Sequence, residues 1–117
     1  MRYTIAVDFD GVIHSYTSPW ISEHEIPDPP VAGAIEWLKT ITKEFDVVVF
    51  TTRGRTPEGQ KAVVDYLNNY GFLGVVIVTD RKPPALVYID DRAWRFTGTF
   101  PTADEIHKAR PWNKQGG

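Results

Sequence analysis

Four acids stand out by where they fall: Asp8 and Asp10, followed at once by Gly11, and the adjacent pair Asp90 and Asp91 near the other end of the chain. The first pair closes the apolar run TIAV and the second closes ALVYI. Asp8 and Asp10 share a face, because side chains alternate along a strand. Two carboxylates about 5 Å apart repel by about 3 kcal/mol at an effective dielectric of 20. Adding Asp90 and Asp91 to the same site raises that cost, and without relief one of the group takes up a proton. Lys82 is one cation against four acids. A hard divalent cation can supply the rest, and oxygen ligands without His or Cys suit magnesium. Hydroxyls come from Thr51 and Thr52, which end a third apolar run, DVVVF. Carboxylates, magnesium, a lysine and a hydroxyl are fitted together to a phosphoryl group. The cations hold its charged oxygens, Thr51 donates a hydrogen bond, and a carboxylate can attack phosphorus to form an aspartyl-phosphate. Thr52 could stand in for Thr51.

Around this set lie residues with a second plausible use. Arg53 and Arg55 follow the hydroxyls and could grip a distal phosphate, with surface solvation as the alternative. His14, Tyr16 and Trp20 fall on the segment 14–30, which is aromatic, polar and proline-rich without a steady period. His14, Thr52 and Arg53 are the expected substrate contacts. Tyr16 and Trp20 could stack on a base, although packing of the segment itself accounts for them more simply. His24 and His107 read as surface residues, and Arg92 and Arg95 as braces for the Asp90 loop or solvated side chains.

The elements that must position these groups follow from periodicity. Tyr3 to Val7, Asp46 to Phe50, Gly74 to Val78 and Ala85 to Ile89 read as buried strands, with a short fifth at Trp94 to Phe96. Val31, Ile35, Leu38, Ile41 and Phe45 recur at helical spacing, so PPVAGAIEWLKTITKEF predicts an amphipathic helix with prolines at its start. Thr56 and Pro57 mark the N-cap and first turn of a second helix, with Val63, Leu67 and Tyr70 facing inward and an end near Gly71. Thr102 and Glu105 form a capping-box pattern for a short last helix. Strands alternating with helices predict a doubly wound α/β fold with a mostly parallel, Rossmann-like sheet and helices on both faces. In such sheets a ligand sits beyond the carboxyl ends of the strands, which is where the polar residues gather. Segment 14–30 is long for a structureless loop and reads as a functional flap.

A chain of 117 residues with net charge −2 and no cysteine fits one domain, placed at 1–111, with 112–117 as a frayed tail. Disulfides, thiol catalysis and Cys-type zinc sites are excluded. The N-terminal apolar run is too short for a signal-peptide core or a membrane span, so a cytoplasmic location is expected, with no membrane partner. The charge speaks against nonspecific nucleic-acid coating.

The order Asp-x-Asp-Gly, strand-end Thr, Lys-Pro and Asp-Asp resembles the haloacid dehalogenase-like phosphohydrolases through most of the chain. DFDGVIH is similar to their first motif, VVVFT to the second, Arg81-Lys82-Pro83 to the third and VYIDD to the fourth. IPDPP before the first helix and IDDRA near the end resemble the short, nearly capless members from phages and bacteria. The phosphatase half of polynucleotide kinase-phosphatases is a more distant relative. The resemblance implies that Asp8 is nucleophile and magnesium ligand, and that Asp10 acts as general acid and base while its carbonyl touches the metal. It further implies that Thr51 and Lys82 hold the phosphoryl group, with Asp90 as a direct ligand and Asp91 direct or through water. No cap domain fits between these motifs. An open site follows unless an oligomer partner covers it, and it would take a phosphorylated small molecule such as a nucleotide, or a nucleic-acid 3′-phosphate. The alternative function is a phospho-accepting or phosphate-binding regulatory module without turnover. Against a receiver-type module stands the chain order, because here the paired acids come last and Lys82 precedes them.

Overall fold

Runs of β-branched residues bounded by turn formers give the chain its sheet. The computed structural model describes residues 2–112. Four strands, β1 (Thr4–Asp8), β2 (Asp46–Phe50), β3 (Ile77–Thr79) and β4 (Val87–Ile89), pair in parallel in the order β3-β2-β1-β4. Helix α1 (Ala34–Ile41) connects β1 to β2, α2 (Pro57–Asn69) connects β2 to β3, and α3 (Ala103–Lys108) follows β4. After stepping from β1 to β3 in one direction, the chain jumps back to place β4 on the far side of β1. That reversal opens a crevice at the carboxyl ends of β1 and β4, the usual ligand position in open parallel sheets.

The core lies on one face. Ile5, Val7, Val47 and Val49 pack with Ala34, Ile35 and Leu38 of α1 and with Val63, Tyr66 and Leu67 of α2. Both helices therefore cover the same side, which corrects the expectation of helices on both faces. The intervening row Ile77, Val48, Ala6 and Tyr88, in register across the sheet, points the other way. The cause is the length of the β3–β4 connection. Residues 80–86 are too few for a helical crossover, which needs about a dozen. They form instead a short loop over the helix-free face, where the Tyr88 hydroxyl donates to the Pro83 carbonyl (2.5 Å). Helix α3 buries no residue.

Other boundaries shift for local reasons. Helix α1 starts only at Ala34, because Gly33 sits at φ 85 and cannot be part of a right-handed helix. Val31 still packs on the core from the preceding turn. Thr56 caps α2 as expected by accepting from the Gly59 amide (3.0 Å), but Tyr66 rather than Tyr70 faces inward. Trp94 to Phe96 form no strand. The Thr102–Glu105 capping box is present. Trp112, expected in a frayed tail, donates its indole N–H to the Gly11 carbonyl (2.6 Å). Positions 113–117 of that tail lie outside the described residues. Among the described residues no helix is long and apolar enough to cross a membrane.

Candidate active site

Strand β1 delivers Asp8 to the carboxyl edge of the sheet, in register with Phe50 of β2. Asp8 has the same parity as Ala6, so its side chain emerges on the helix-free face. There it meets the acids that follow β4. Carboxylate oxygens of Asp8, Asp90 and Asp91 all lie within 4.8 Å of one another. Burial first, then a hydrogen bond with Asp91 and the charges of Asp90 and Asp91, push the Asp8 carboxyl up to about 8. The Phe9 amide donates to Asp8 Oδ1 (2.8 Å) and opposes that shift.

Asp91 is held close by Gly11. That glycine has φ 88, and a Cβ there would lie 2.2 Å from Asp91 Oδ2. Only glycine allows the approach. Asp91 Oδ1 is buried without a hydrogen-bond partner, an arrangement that costs about 1–3 kcal/mol. Asp90 Oδ1 accepts from the Arg92 amide (2.8 Å), which closes the turn after β4. Three converging carboxylates, one with an orphaned buried oxygen and one resisting ionisation, suit a hard divalent cation chemically.

Asp10 contributes no carboxylate to this cluster. Its Oδ1 accepts from His14 Nδ1 (2.8 Å), and Arg53 Nε donates to Oδ1 (3.1 Å) and Oδ2 (3.0 Å). Of the four expected metal ligands it is the one whose side chain turns elsewhere, leaving only the carbonyl, the atom that the resemblance implies. His14 is completely buried, and its Nε2 accepts from the Asp28 amide (3.0 Å). That bond fixes the neutral tautomer with the proton on Nδ1, directed at Asp10. His14 therefore orients Asp10 and does not reach substrate, contrary to expectation.

Arg53 is corrected in the same way. It is only 1% exposed. Besides Asp10 it donates from Nη1 to the carbonyls of Ser22 (2.7 Å), Glu23 (3.1 Å) and Glu25 (3.1 Å), and its guanidinium lies 4.4 Å from the Trp20 ring centroid. Its Nε is thus spent on Asp10 and its Nη1 on the 14–30 segment. Arg55 likewise pairs with the Glu23 carboxylate.

Thr51 stands where expected, buried beside Asp8. Its Oγ1 accepts from the Arg53 amide (3.2 Å), which leaves its own O–H free to donate. Two cavities meet at this point and share Asp8 and Phe50 as walls. One, of about 240 Å³, is bounded by Lys82, Tyr88 and Asp90. The other, of about 250 Å³, is bounded by Asp10, Thr51, Thr52, Tyr16, Trp20 and Arg92. Lys82 rests its ammonium 4.7 Å from the Tyr88 ring centroid, on the cavity that Asp8 and Asp90 also line.

Sequence reading missed Asp28, whose carboxylate takes the Ser18 amide (2.8 Å) and hydroxyl (2.6 Å) and whose carbonyl takes the Tyr66 hydroxyl (2.8 Å). An acid between prolines in an otherwise structureless stretch was the available signal. Phe50 was also missed, because a strand-end aromatic reads as core. No family model, curated protein or solved structure matches this chain.

Proposed function

We propose that the protein is a magnesium-dependent phosphomonoesterase of the haloacid dehalogenase-like type, acting through an aspartyl-phosphate on Asp8. The observation that carries this reading is the position of Asp8 on the wall common to both cavities, with Asp90 and Asp91 beside it and Asp10 and Thr51 next to it in the second cavity. Asp8, Asp90 and Asp91 would hold magnesium, which would neutralise their mutual repulsion and draw charge from the phosphoryl oxygens.

The chain's own residues then divide the work. The Phe9 amide engages one oxygen of Asp8, leaving the other to attack phosphorus. Asp10 must enter this step in its protonated form: as the bond from Asp8 to phosphorus forms, the ester P–O bond breaks and the departing oxygen takes that proton, leaving the Asp10 carboxylate. Thr51 donates its hydroxyl hydrogen to the transferring group, and Lys82 faces it from the first cavity. Water next gives its proton to Asp10 as its oxygen bonds phosphorus, and the acyl-phosphate bond breaks to restore Asp8. The sum is ester plus water to alcohol plus inorganic phosphate. His14 and Arg53 hold the Asp10 carboxylate in place for both transfers.

Purified protein with magnesium should release phosphate from an aryl phosphate, and Asp8→Asn should abolish that release. Equal inertness of the two proteins across a broad panel of phosphomonoesters would sink the reading.

A further inference from the structure

The second cavity carries more information than phosphoryl chemistry requires. Alongside Asp8 and Thr51 it is bounded by three aromatic side chains, Tyr16, Trp20 and Phe50. Trp20 lines this cavity and is 45% exposed, which leaves part of its ring open to a ligand. Tyr16 adopts φ 55, and among the described residues it is the single non-glycine residue with positive φ. For a bulky side chain that conformation is strained, and strain of this kind persists where the surroundings impose it and often where a site uses it.

The wall is also set in advance. Arg53 packs against Trp20, and its bonds to the carbonyls of Ser22, Glu23 and Glu25 fix the backbone that follows it. Asp28 ties Ser18 from the other end of the segment. Arg53 is not part of the cavity lining whereas Trp20 is, so the contact with Arg53 does not shut the indole off from the cavity. A preformed aromatic surface binds a planar ring without an ordering cost. At about 250 Å³ the cavity lies below the range of roughly 300–1,000 Å³ typical of drug-sized ligands. Its size suits one ring system set against the aromatic side chains. Arg92, on the same cavity, adds a planar cation able to stack on a ring or meet a polar edge.

We propose that Tyr16 and Trp20 form a ring-recognition wall, and that the preferred substrates are phosphomonoesters whose leaving group carries one planar ring system, nucleoside monophosphates above all. This rests on the phosphatase reading of the same site.

The test compares a nucleoside 5′-monophosphate, benzyl phosphate and glycerol 3-phosphate with magnesium, all esters of alkyl alcohols, so that leaving-group acidity does not set the order. Wild-type kcat/KM should favour the two ring-bearing esters by about tenfold or more, in line with the worth of one stacking contact. Trp20→Ala should lose about tenfold on the ring-bearing esters and little on glycerol 3-phosphate, while Trp20→Phe should retain the preference. Absence of a preference in the wild type, or an equal loss on all three esters in Trp20→Ala, overturns the wall and leaves the phosphatase reading standing. Calorimetric binding of the same three compounds to Asp8→Asn with magnesium separates the two claims. If no ester is hydrolysed but the ring-bearing ones bind at least tenfold more tightly, the wall stands and the phosphatase reading falls. Equal binding of all three overturns the wall.

Discussion

The segment after β1 and the segment after β4 both bring acids to the same crevice, yet they are built in opposite ways. In the first, Phe9, Ile13, His14 and Asp28 are buried, and Arg53 from the turn after β2 and Tyr66 from α2 reach in to satisfy its backbone. In the second, every residue from Arg92 to Arg110 except Pro101 is exposed. Its described ties to the rest of the fold near the site are the placement of Asp91 against Gly11 and the bond from Trp112 to the Gly11 carbonyl. One wall stands by its own hydrogen bonds. The other carries like charges on a lightly packed segment and gains most from a cation. Under the proposed function, specificity belongs on the β1 side and response to metal on the β4 side.

The largest effect that would sharpen this contrast is chemical. Asp8→Asn should lower phosphate release at least a thousandfold, about 4 kcal/mol of barrier, while thermal unfolding shows the metal-free variant no less stable than wild type. A clear loss of stability in that variant would mean that the charge of Asp8 is not the burden its surroundings imply.

Next comes the self-supporting wall. Arg53→Met leaves Asp10 short of its buried partner and three carbonyls unsatisfied, so urea unfolding should show a loss of about 3 kcal/mol or more. Arg92→Met, on the exposed segment, should stay within about 0.5 kcal/mol of wild type. Similar losses in the two variants would erase the distinction.

Metal removal tests the other side. The Asp8 carboxyl is raised to about 8 in the folded chain, so the folded state binds more protons than the unfolded one between about pH 4 and pH 8. Stability of the metal-free protein should thus fall as pH rises through that window. Magnesium at a hundredfold excess over its Kd should restore about 2.7 kcal/mol at pH 8. Hydrogen exchange should slow in 90–112 and hardly change in 9–30. The smallest loss expected of a broken contact is that of Trp112→Phe, which removes one hydrogen bond and should cost about 1 kcal/mol or less in unfolding, with a weaker response to magnesium as its visible sign.

Strand and helix order could be read from the chain because Val-rich runs and the Thr56 and Thr102 caps are local signals. The grouping of Asp8 with Asp90 and Asp91 was legible from their places at strand ends. What escaped was long-range partnering. Arg53 and His14 look like free polar residues in sequence, and nothing nearby shows that one is spent on carbonyls some thirty positions earlier and the other on Asp10 and Asp28. The helix-free face escaped as well, since its cause is a missing length of chain between β3 and β4 rather than any residue present.

The meeting of Gly11 with Asp91 has a bearing on how the protein is made. Eighty residues separate the two positions, so β4 and the turn after it must leave the ribosome before the acidic cluster can close. A nascent fragment that already holds Asp8, Thr51 and the 14–30 wall still lacks two of the three acids of the cluster. Under the proposed function synthesis itself would act as a safety catch, with the centre complete only once translation has passed β4.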